Sequence, residues 1–129
     1  MTRIIFVASS VLLAALGAAC LFLPGPLAGA LVLPEGALQS LPVAAGPLIG
    51  LAGLNWAGRG AIYGGIYGRP IVFANFLNAG IGTLVLLTMQ TEAWPLFRWL
   101  LMAAFAAYWL AFALLMFRGP FESASSTPR

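Results

Sequence analysis

From Ile4 to Leu23 the chain runs twenty residues without a charged side chain. A helix of that length matches a hydrocarbon core about 30 Å thick. Three more apolar runs follow, from Val43 to about Gly60, from Ile71 to Thr88 and from Leu96 to Phe117. The chain is therefore expected to be all-α, an integral membrane four-helix bundle with spans near 4–23, 43–60, 71–88 and 96–117. Its composition agrees: 62% of residues are hydrophobic and 7% charged, against roughly 25% charged in soluble domains. Residues 1–118 make one membrane domain, and the polar end "GPFESASSTPR" reads as a disordered tail over 119–129.

The N-terminus also has features of an export signal. "MTR" followed by "IIFVASSVLLAAL" resembles charged and apolar signal regions. "LGAAC" resembles a lipoprotein cleavage box, but Gly17 stands where that box usually has leucine, and the apolar run continues through "LFL". The segment is read as a span.

Six arginines oppose three glutamates, with no lysine, aspartate or histidine. Arg3, Arg59, Arg69, Arg118 and Arg129 fall on one side of a four-span layout; Arg98, Glu35 and Glu92 fall on the other. The positive-inside rule then places both termini in the cytoplasm. Arginines dispersed at span ends do not make a nucleic-acid footprint. Without histidine the chain alone cannot build a bis-histidine haem, a histidine–zinc site or a serine–histidine triad. A single cysteine, Cys20, excludes an internal disulfide. No metal site and no catalytic residue is assigned, and the chain is not expected to be an enzyme.

The connection "PGPLAGALVLPEGALQSLP", Pro24 to Pro42, contains four prolines and should break any long helix. It is apolar for a loop, so it should rest in the lipid interface, re-enter shallowly or pack on a partner. Trp94, Trp99 and Phe121 suit the interfaces.

In lipid, helices associate through close packing and hydrogen bonds rather than hydrophobic burial. Gly46, Gly50 and Gly53, then Gly60, Gly64 and Gly68, carry the small-xxx-small spacing for such packing, within the chain or against another subunit.

Polar chemistry gathers in "NWAGRGAIYGGIYGRP", Asn55 to Pro70. On a continuous helix Asn55 and Arg59 share a face, as do Asn75, Asn78 and Gly82 in the next span. Buried asparagines need partners across a bundle. "GGIYGRP" suits a turn, with proline opening the following helix. Two readings of this corner stand. In the first, Asn55, Asn75 and Asn78 satisfy freed backbone and one another, while Trp56, Arg59, Tyr63, Tyr67 and Arg69 anchor at headgroup depth. In the second, the same residues form a pocket for a lipid headgroup, a quinone or a small anion.

These residues also carry a resemblance. Asn55-Trp56, then Gly64-Gly65-Ile66-Tyr67-Gly68-Arg69-Pro70, then Asn75 resembles the signature of an uncharacterised family of small bacterial multi-span membrane proteins. The likeness covers Asn55 to Leu87, about a quarter of the chain. It implies a multi-span helical fold in a bacterial inner membrane and no particular activity. Such proteins often carry histidine near the position of Asn78, so a proton-linked role is not implied for this chain. The layout is similar to that of DoxX-like proteins in span number alone.

The sequence thus leads to a non-catalytic accessory or packing subunit of a larger membrane assembly, respiratory or photosynthetic. Its partners would be membrane lipid and other membrane protein subunits. A small transporter or channel subunit for a neutral or anionic solute is one alternative, although no span holds a central carboxylate. A lipid- or quinone-binding protein is the other.

Overall fold

The computed structural model describes residues 2–60, 68–89 and 95–118. Its regular elements are helices: α1 (Thr2–Phe22), α2 (Pro24–Leu31), α3 (Ala37–Gly58), α4 (Gly68–Thr88) and α5 (Leu96–Arg118). Four of them, α1, α3, α4 and α5, are long and apolar enough to cross a membrane. The chain is a helical multi-pass membrane protein.

The first, third and fourth predicted spans agree with α1, α4 and α5 to within three residues at each end. The second does not. α3 begins at Ala37 and carries both Pro42 and Pro47 inside it, where the sequence reading placed the boundary at Pro42. Each proline removes one intrahelical donor. Transmembrane helices nonetheless hold more proline than soluble ones, so the soluble-protein rule set the boundary too late.

The proline-rich connection holds no long helix up to Ala37, as expected, but it is not a plain loop. Pro24 and Pro26 open the eight-residue α2, where a missing N–H has no partner to lose. Leu27 and Leu31 of α2 are buried in one cluster with Cys20 of α1 and Ala45 of α3. The apolar connection therefore packs on its own chain. α2 is capped by Val32, whose φ of 53° lies in the left-handed region. The Leu33 N–H then closes the turn on the Ala28 carbonyl at 2.9 Å.

The spans pack most closely as two antiparallel pairs, α1 with α3 and α4 with α5. Glycine decides both contacts. A Cβ on Gly17 would stand 2.7 Å from Ile49 Cγ1 and 3.3 Å from the Ala45 carbonyl oxygen. Ser10 tightens the first pair by donating to the Ala52 carbonyl at 2.8 Å. In the second pair, a Cβ on Gly82 would come within 2.4 Å of Phe105, and one on Gly80 within 2.9 Å of Trp109.

Larger side chains join the two pairs. Phe6 of α1 meets Phe112 of α5 with ring centroids 5.2 Å apart, and Tyr108 meets Phe112 edge-on at the same separation. Tilted and edge-on rings suit the aromatic quadrupole. Phe6 and Phe112 are fully buried.

The packing glycines expected on α3 are not the ones used. At Gly46, Gly50, Gly53 and Gly60 an added Cβ meets nothing within 4 Å. The covered face of α3 runs through Ala45, Ala52, Asn55 and Gly58. Small-xxx-small spacing identifies a face that can be approached closely, and here the neighbouring small face is the one approached. Gly68 is buried, and Gly64 lies outside the described residues.

Candidate functional site

Buried amides and hydroxyls converge where α3 and α4 approach each other. Asn55 lies one turn before the end of α3, and Asn75 lies two turns into α4. Both are fully buried. The Asn55 amide nitrogen donates to Asn75 Oδ1 at 2.7 Å, and the Asn75 amide nitrogen donates back to Asn55 Oδ1 at 2.6 Å. This closed pair joins the two helix pairs through polar atoms.

The surrounding helices complete it. Asn75 Nδ2 also donates to the Ile71 carbonyl at 2.7 Å, and the Tyr108 hydroxyl donates to Asn75 Oδ1. A carboxamide has two donor hydrogens and two acceptor lone pairs, so the Asn75 side chain is saturated. Asn55 Nδ2 donates a second bond to Ser9 Oγ at 3.1 Å. Ser9 in turn donates to the Phe6 carbonyl at 3.0 Å. Side chains from α1, α3, α4 and α5 thus share one network.

Asn78 stands beside it. With Asn55 and Asn75 it surrounds the Tyr108 hydroxyl, but the buried Asn78 Nδ2 has no hydrogen-bond partner among the described residues. Gly82, predicted on the same face, is given over to Phe105.

The remaining corner residues lie apart from the network. Arg59 follows the last residue of α3, and its side chain turns back on Trp56. Its guanidinium carbon lies 4.1 Å from that ring's centroid, and Nη1 donates to the Trp56 carbonyl. Arg59 caps α3 with helical backbone angles (φ −59°, ψ −20°), one turn after Asn55, but its side chain folds back on Trp56 instead of joining the asparagines. Trp56 is half exposed, and Arg69 is exposed at the start of α4. Tyr63 and Tyr67 lie outside the described residues, as do Trp94, Phe121 and the tail; Trp99 is half exposed.

Two network members were missed from sequence, Ser9 and Tyr108, as was the Ser10 bond between α1 and α3. A signal was present, since a phenol inside the alanine-rich run "AAFAAYWLAF" needs a partner when buried. Arg98 was also misread. Treated as a topology charge, it is fully buried and donates through Nη2 to the Leu86 carbonyl at 2.8 Å and the Met89 carbonyl at 2.5 Å. These are the carbonyls left open at a helix C-terminus, where a cation is also favoured by the dipole. Arg98 at the start of α5 therefore caps α4.

Chemically the site is a set of amides and hydroxyls that mostly satisfy one another. Its members are neither strong bases nor metal ligands, and no cluster of three or more histidine, cysteine or carboxylate side chains occurs among the described residues. The chain matches no family model, no curated protein and no solved structure.

Proposed function

We propose that the protein is a non-catalytic accessory component of a larger membrane assembly, docked through the outer face of α3. The supporting observation is the way α3 uses its two small faces. Ala45, Ala52 and Gly58 are covered by this chain, whereas Gly46, Gly50 and Gly53 stand exposed with open space over each Cβ position. In lipid, exposed glycines permit close backbone approach by another helix and contribute little else. Asn75 adds to this reading, because its side chain has no bonding capacity left for a solute or ligand.

The test is a photo-crosslinking residue at Gly50, with the same residue at exposed Ala74 of α4 as control, in the native membrane. A discrete protein adduct at Gly50 but not at Ala74 is expected. Lipid adducts alone at both positions would reject the docking face.

Arg3, Arg59, Arg69 and Arg118 support an orientation with both termini in the cytoplasm, and a bacterial inner membrane is proposed with it. Reporter fusions at the two termini check it, and a periplasmic signal from either would reverse the assignment.

A further inference from the structure

A cleft opens along the contact between α1 and α5, and a second adjoins it on the surface of α1. The larger, about 280 Å³, has Ile4, Ala8 and Leu12 on one wall and Ala104, Ala107 and Ala111 on the other. The second, about 270 Å³, is bordered by Arg3 and Val7 and shares Ile4 and Ala8 with the first. Together they form a trough that runs from the exposed cation at the start of α1 into the span.

The trough exists because the facing side chains on α5 are alanines, while the Phe6–Phe112 contact next to them holds the helices together. Ser9 and Tyr108 lie on its floor, but their polar atoms point elsewhere. Ser9 Oγ is engaged by the Phe6 carbonyl and Asn55, and the Tyr108 hydroxyl by Asn75. What faces the trough is therefore hydrocarbon, which fits an alkyl chain better than a carbonyl-bearing quinone head. At its mouth the charge is positive. Arg3 is exposed there, and Arg118 is exposed at the end of the antiparallel α5, on the same side of the membrane.

We propose that this trough is a binding site for one anionic phospholipid, with the phosphate at Arg3 and an acyl chain between α1 and α5. The site is distinct from the outer face of α3 and does not depend on the docking reading. A juxtamembrane arginine contributes about 1 kcal/mol toward anionic lipid, a preference of about fivefold.

The full chain, purified in mild detergent, is titrated with synthetic phosphatidylglycerol and with phosphatidylcholine of the same acyl chains, and bound lipid is counted by native mass spectrometry. One phosphatidylglycerol should be retained in preference to phosphatidylcholine. Arg3→Gln, at an exposed position, should lower that preference about fivefold. Ala107→Leu fills the trough and should reduce retention of both lipids, while Ala74→Leu on α4 should not. Equal retention of the two lipids by the unsubstituted chain, or unchanged retention in Ala107→Leu, would overturn the proposal. If Ala107→Leu does not fold, the Arg3→Gln ratio decides alone, and an unchanged ratio rejects the site.

Discussion

Asn55 and Asn75 each give the other an amide hydrogen and take one back, at 2.7 and 2.6 Å, with neither side chain exposed. The pair belongs to helices that otherwise touch little, since α3 packs mainly on α1 and α4 mainly on α5. Polar atoms thus hold together what close packing does not. In lipid, where apolar surface gains nothing by leaving a neighbouring acyl chain, that is a reasonable use of a polar residue.

The two asparagines should differ in cost when removed. Asn75→Leu strands Asn55 Oδ1 and the Tyr108 hydroxyl together and should destabilise by about 2–3 kcal/mol. Asn55→Leu leaves Asn75 bonded to Ile71 and Tyr108 and should cost about 1–2 kcal/mol. The double variant should lose less than the sum, because neither orphan then remains from the pair. Reversible unfolding in detergent measures all three, and strict additivity would mean that the pair is not coupled.

Gly82 and Gly50 offer a contrast on the helix surface. Gly82→Ala drives a methyl into the Phe105 ring and should destabilise by about 1–3 kcal/mol, with partial rescue by Phe105→Leu. Gly50→Ala meets open space, so in the isolated chain it should be neutral or stabilising by up to about 1 kcal/mol through helix propensity. Thermal midpoints of the purified variants report both, and equal losses would contradict the assignment of covered and open faces.

Val32 is strained. A β-branched residue at φ 53° suffers the left-handed penalty of roughly 1–2 kcal/mol. Val32→Gly should recover about 1 kcal/mol, since glycine accepts that conformation freely. A lowered unfolding midpoint would show that the Val32 side chain contributes more than the backbone loses.

Arg98 should be needed for its hydrogen bonds as well as its charge. Arg98→Met removes the donors to the Leu86 and Met89 carbonyls and should cost about 1–3 kcal/mol. Arg98→Lys keeps the charge but not the planar fork and should recover only part of that loss. The readout is amide exchange over the last turn of α4, where faster exchange is expected at Met89. Full recovery by lysine would reduce the role of Arg98 to electrostatics.

Much of this molecule is determined locally. Long uncharged runs define helices in lipid because an isolated helix satisfies its own backbone. Three of the four spans accordingly start and stop close to where the charges and breakers say. The requirement that Asn55 and Asn75 find partners was also legible, since a buried amide is costly wherever it lies. Which partners they find was not. Asn55 Nδ2 meets Ser9, 46 positions away in the chain, and Asn75 Oδ1 meets Tyr108, 33 positions away. Only the way the helices rotate about their axes sets such distances. The same rotation turns Gly46, Gly50 and Gly53 outward and Ala45 and Ala52 inward, although both series have helical spacing. It also buries Arg98, whose place at a span end reads as a topology charge. A one-dimensional pattern specifies that faces of these kinds exist; the choice of which face is covered comes from side chains fitting across the interfaces, and those become neighbours only when the chain has folded.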